Sequence, residues 1–144
     1  MNCLHGTILA VEAHGTVAIV DVAVGALQLT ATLLGSAQQL ATWQAAQPVQ
    51  MLFKETEVAL AKNLQGQISL RNRLPGRIVE IEWGQLLTRV LVLLDDLAGV
   101  TISSVITTRS AKNLQLQVGD ALEGLVKANE MSIMAGSAND GVVA

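Results

Sequence analysis

The chain has 144 residues, of which 51 % are hydrophobic and 15 % charged, with a net charge of −3. That composition excludes intrinsic disorder as the overall state and suffices for one ordinary domain or two small ones. The acidic balance argues against a broad nucleic-acid or anionic-membrane surface, while leaving room for a small anion site built on one or two cations.

In chain order, residues 6–12 form a β run closed by a turn at Ala13-His14-Gly15. Residues 16–24, rich in Val and Ile, form the next strand, which Gly25 ends. Residues 27–33 alternate as a half-buried strand does. Gly35-Ser36 then opens a short helix over 37–43, with Ser36 as its cap and Leu40 and Trp43 on one face. Strand returns at 49–53, and residues 54–58 lead into one more. The second half repeats this grammar. It has strands at 76–83, 86–94 (apolar on both faces) and 99–106, a helical turn at 110–114, and a strand at 121–126.

The halves can be superimposed. Leu4-His5-Gly6 matches Leu74-Pro75-Gly76, and Val20-Asp21-Val22 matches Val90-Leu91-Val92. Ser36-Ala37 matches Ser110-Ala111, and the series Lys54, Thr56, Glu57, Val58 matches Lys127, Asn129, Glu130, Met131. An ordered series with small drift marks a duplication. A longer loop around Asp95-Asp96-Leu97 accounts for the drift. The predicted fold is mainly β: two tandem small OB-like barrels, each with one short helix. The repeats cover 1–64 and 65–134, residues 59–67 join the strands of one to the other, and 135–144 form a flexible tail.

Mean hydropathy is +0.45, yet no stretch supplies the roughly 20 consecutive apolar residues of a spanning helix. The N-terminus shows no basic region and no apolar core ahead of Glu12, so no secretory leader is read there. The single cysteine, Cys3, allows no intrachain disulfide framework. Both features predict a cytoplasmic location.

The residue inventory narrows the chemistry. Phe53, Trp43 and Trp83 are the only aromatic residues, too few for base-stacking platforms. Cys3, His5 and His14 lack a zinc-ligand spacing. No phosphate-loop, dinucleotide or nucleophile-elbow motif occurs, and the reading is a protein without enzymatic activity or cofactor.

Residues 68–78 are the most informative. A strand carrying Ser69 and Arg71 two apart puts a hydroxyl and a guanidinium on one face. Lys127 closes a later strand beside small Ala128. Thr107 and Ser110 frame a helix start, where unpaired N–H groups gather. Donors without a base or nucleophile suit the binding of an anion.

Ser69-x-Arg71-Asn72-x-Leu74-x-Gly76, the segment Ile106-Thr107-x-x-Ser110 and Lys127-Ala128-x-Glu130 together resemble the molybdate-binding Mop domains of the molbindins. Such domains also form the ligand domains of molybdate-importer ATPases and molybdate-responsive regulators. The resemblance spans nearly the whole chain as a tandem pair. It implies homo-oligomers, trimers or dimers, that bind molybdate or tungstate at their interfaces for storage, buffering or sensing. On that resemblance Ser69, Arg71, Asn72, Lys127 and Ala128 come from one side of an interface, and Thr107 and Ser110 from a neighbouring one. The first repeat departs from the pattern. Met1 matches Arg71, Leu33 stands for Thr107 and Glu55 replaces Ala128, which leaves Ser36 and Lys54 for a weaker second class of site. The alternatives are a regulatory ligand domain of an importer ATPase or transcription regulator, and a Mop-like oligomerisation module without ligand. No direct nucleic-acid partner and no membrane insertion are expected.

Overall fold

The computed structural model describes residues 1–136. The first sheet contains β1 (Asn2–His14), β2 (Val17–Val24), β3 (Leu27–Leu34) and β4 (Pro48–Phe53). The second contains β6 (Asn72–Glu82), β7 (Leu87–Leu94), β8 (Thr101–Thr107) and β9 (Ala121–Val126). Two short strands complete them crosswise. β5 (Ala59–Ala61), from the first repeat, adds to β9, and β10 (Ser132–Ala135), from the second, adds to β4. The orders are β10-β4-β1-β2-β3 and β5-β9-β6-β7-β8. In each sheet the two outer strands approach each other, giving a small, partly open, OB-like barrel.

Duplication is visible in the ladders. Gly6 and Gly76 occupy equivalent places where the first strand of each half crosses close to its hairpin partner. A Cβ on Gly6 would lie 2.5 Å from the Ala23 carbonyl oxygen, and one on Gly76 would collide with that of Leu93. A bulge follows in both strands, between Ile8 and Ala10 and between Ile78 and Glu80. Such bulges bend a strand and increase its twist, which closing a five-stranded sheet requires. Beyond the first bulge, β1 and β2 run out as a hairpin tip with Leu9 and Ile19 exposed.

Alternating burial follows apolar patterning in β2 and β4. β7 reads apolar on both faces, yet it alternates too, with Leu93 37 % exposed. The barrel interiors hold Leu4, Ile8, Met51 and Phe53 in one half and Leu74, Ile78, Val92 and Ile102 in the other. Burying each such side chain stabilises by about 1.5–3 kcal/mol relative to exposure. Leu97, in the longer second-half loop, is buried and lies over Gly25 of the first half.

The helices are short. α1 (Ala37–Leu40) is capped by Ser36 in a reciprocal capping box with Gln39. α2 (Thr108–Asn113) is capped by Thr107, one turn earlier than a start at Ser110. Among the described residues no helix is long and apolar enough to cross a membrane. The expected joining segment 59–67 is structured at its start, since β5 belongs to the second sheet. Lys62 anchors it further, through the Leu114 carbonyl at 2.9 Å and Asp120 at 3.2 Å. The expected tail begins inside a strand. Ala135 pairs with Val49, and the Gly136 N–H donates to the Pro48 carbonyl at 2.9 Å. Its residues 137–144 lie outside those described.

Candidate functional site

Each half hands a terminal arm to the other. After β4 the chain passes Lys54, makes a 3-10 turn (Glu55–Glu57) against β8, and enters β5. After β9 it passes Lys127, makes a 3-10 turn (Ala128–Glu130) against β3, and enters β10. The candidate residues gather around these two crossings.

Asn72 is fully buried. Its amide nitrogen donates to the Thr30 carbonyl at 2.8 Å, and its oxygen accepts from the Thr30 N–H at 2.7 Å. Thr30 lies on β3, whose outer edge faces the other barrel, so the amide pairs with that edge as a strand would. Asn2 makes the same clamp on Ser103 of β8, at 2.9 and 2.8 Å. The Asn72 side-chain amide is thus engaged in joining the barrels. Asn2 escaped the sequence reading, although it stands 70 residues before Asn72.

The ladder pairs Asn72 with Val126. Arg71 directly precedes and Lys127 directly follows this last pair, at the end of the ladder. Both are exposed, and neither takes part in an ion pair among the described residues. Two neighbouring cations repel unless an anion lies between them. Half-buried Ala128 follows Lys127 and keeps the place free of bulk. The predicted strand through Ser69 and Arg71 is not formed. β6 begins at Asn72, and both residues lie exposed in the segment before it, which lacks a partner strand to continue the ladder.

Thr107 and Ser110 do come together. The Thr107 hydroxyl accepts from the Ser110 N–H at 3.1 Å and donates to the Ser110 hydroxyl at 2.8 Å. They share a shallow groove with Thr56, Glu57 and Glu130. Within one chain, Arg71 and Lys127 do not share that groove with Thr107 and Ser110.

The first half lacks the same equipment. Its ladder ends at Asn2 and Phe53, with Met1 and Lys54 just beyond, lining one pocket. Leu34 pairs with Val17 as Thr107 pairs with Leu87, so the counterpart of Thr107 is Leu34, one residue on from Leu33. Leu34 is 79 % exposed. Ser36 is engaged in its capping box. Lys54 is exposed beside Glu57, whose carboxylate accepts the Lys54 N–H at 3.0 Å. Glu55, at the place of Ala128, points to Arg89, with its carboxylate 3.2 Å from the guanidinium.

Arg73 and Lys62 make ion pairs with carboxylates of the second half. Arg73 grips Glu123 with two hydrogen bonds, and this contact holds the Glu123 carboxyl below its usual range. The Gln117 N–H and then Lys62 lower that of Asp120. Among the described residues no three His, Cys, Asp or Glu side chains gather to hold a metal ion.

Comparison with known proteins adds to this geometry. The TOBE domain profile matches residues 1–60 and again 68–133. A probable molybdenum-pterin-binding protein of Haemophilus influenzae is 36 % identical over 70 residues, covering 49 % of this chain and 96 % of that protein. The structure of the cytoplasmic molybdate-binding protein ModG, with molybdate bound, superimposes with a TM-score of 0.87 at 25 % identity, covering 94 % of this chain and 96 % of the other. Two matched segments, two clamped barrels and one shared architecture lead to the same conclusion: the chain belongs to the TOBE domain family, as a tandem of two domains of the molbindin type.

Proposed function

We propose that this protein binds a tetrahedral oxyanion, molybdate and also tungstate, and does no covalent chemistry. The observation that carries the reading is the cation pair Arg71 and Lys127 at the end of the β6–β9 ladder, unbalanced by acid in a protein of net charge −3. The choice of anion rests on the relatives, one described as molybdenum-pterin-binding and one holding molybdate.

Ser69, Arg71, Lys127 and Ala128 form one wall of the site, with Asn72 fixing that wall through its clamp. Thr107 and Ser110 of a second copy form the other, so the site is completed at a contact in a homodimer or homotrimer. That Arg71 and Lys127 do not share the groove of Thr107 and Ser110 within one chain supports this division. Lys54 and Ser36 serve at most a weaker second class of site. The cations and hydroxyls donate to a dianion, with the Glu57 and Glu130 carboxylates in the same groove as Thr107 and Ser110, and a rigid frame selects by size between molybdate and sulfate. The protein acts in the cytoplasm as a store, buffer or sensor of the anion.

One rival has a specific observation behind it. Met1 and Leu34, where the second half has Arg71 and Thr107, favour a purely structural module at least for the first half. Isothermal titration with molybdate and with sulfate, on protein whose oligomeric state is fixed by light scattering, decides between them. Molybdate binding without sulfate binding is expected. Silence toward both on a folded oligomer overturns the proposal.

A further inference from the structure

The two arms are alike in course, so the fold contains an ambiguity. The first arm could dock on a first-half barrel, its own or that of another copy, and the second arm on a second-half barrel. Exchange of like elements between copies is a low-cost route to mispaired assemblies. Hydrophobic burial does not prevent it here, because Val58 of the first arm and Met131 of the second are equivalent buried anchors. Backbone pairing does not prevent it either, since β5 and β10 use matching ladders.

Three polar contacts distinguish the arms: the Ser104 hydroxyl donates to the Val58 carbonyl at 2.7 Å where the first half has Ala31, Lys62 pairs with Asp120 at 3.2 Å, and Glu55 pairs with Arg89 at the start of the arm. Glu55 lies 3.2 Å from Nη2 and 3.3 Å from Nε of Arg89, on β7. The same guanidinium donates to the Ser103 hydroxyl at 2.8 Å, and Ser103 is the residue that Asn2 clamps. The equivalents in the other crossing are Ala128 on the arm, and Ile19 and Thr30 on the barrel. Docked on a first-half barrel, Glu55 would meet Ile19 in place of a guanidinium. It would also face Asp21, two residues along the same strand face as Ile19, whose carboxylate accepts from Thr30 at 2.7 Å. Docked on a second-half barrel, Ala128 would leave Arg89 without Glu55. Both wrong pairings lose an attraction, and one adds a like-charge contact.

We infer that the Glu55–Arg89 ion pair is a pairing key, which directs the first arm to a second-half barrel and away from first-half barrels. The key acts on the choice between two dockings that each bury one apolar anchor, Val58 or Met131. A modest, half-exposed ion pair suffices for that purpose.

Engineered disulfides read the choice in the full chain, with Cys3 replaced by Ala. Ala59 pairs with Leu125 in the observed fold. In the wrong docking it would take the place of Ser132 and face Leu52. Chains carrying A59C/L125C are expected to cross-link after refolding, and chains carrying A59C/L52C to stay reduced. Glu55→Arg places a cation against Arg89 and offers it Asp21 instead. It should raise the 52–59 cross-linked fraction by about tenfold, the change that about 1.4 kcal/mol of altered preference produces. Arg89→Gln, a milder change that spares the fold, should move the fraction in the same direction. If either variant folds and keeps the 59–125 pairing at the original yield, the ion pair is not the key.

Discussion

Asn2 and Asn72 serve an edge that would otherwise be open. Each offers a carbonyl oxygen and an N–H in the spacing of a peptide group, and so closes the exposed side of an edge strand in the other barrel. Asn72→Ala leaves both Thr30 backbone groups without that partner in a buried place. A loss of about 2–4 kcal/mol in urea unfolding is expected, with a similar loss for Asn2→Ala. The cations answer to a different measurement. Arg71→Ala or Lys127→Ala should weaken oxyanion binding by about 2–5 kcal/mol in calorimetry while leaving the urea midpoint near its original value. Lys54→Ala should weaken it less, because Met1 lies beside it at the end of its ladder, in the place that Arg71 holds in the second half. The lack of an arginine in the first repeat was legible in the sequence. The engagement of the Asn72 amide was not, because its partner Thr30 lies 42 residues away.

Among the elements, most strands could be read because Val- and Ile-rich alternation is a local signal. β10 could not. Its four residues, Ser132 to Ala135, carry little pattern, and they form a strand only because β4 of the other repeat offers an edge. The same holds in reverse for Ser69 and Arg71, where a plausible strand pattern has no edge to join. Glycine in the repeated Leu-x-Gly unit has a steric cause, the carbonyl of the hairpin partner. Gly76→Ala should therefore destabilise by about 1–3 kcal/mol through overpacking, and Gly6→Ala likewise. Gly66→Ala, in the segment between the repeats, meets no neighbouring atom and tests backbone conformation alone, since its φ of +88° also disfavours a side chain.

At the scale of the molecule, the halves differ in their charge bracing. Glu123 and Asp120 both have carboxyls held below their ordinary values of 4.5 and 3.8. The positions matching Arg73 and Glu123 in the first half are Cys3 and Gln50, which carry no such ion pair. A depressed folded-state pKa means that the unfolded chain binds protons more readily. The stabilisation is therefore present above the ordinary carboxylate range and is lost as pH falls through the folded values. Thermal unfolding at pH 7 and at pH 3 should show a lower midpoint in acid. Glu123→Gln should reduce the difference, and Gln50→Glu should not reproduce it. Molybdate at saturation should raise the neutral-pH midpoint, as any ligand confined to the native state does.

Composition, periodicity and an internal repeat determined the class of fold and the number of barrels, since each is written in neighbouring residues or in their recurrence. The tertiary structure decided how the two repeats are joined. The exchange of β5 and β10, the paired asparagine clamps and the Glu55–Arg89 contact all link residues tens of positions apart. Two nearly equal repeats can satisfy the same local patterns whether each folds on itself or on the other. What separates those outcomes is a few polar contacts that form only after the chain has crossed over.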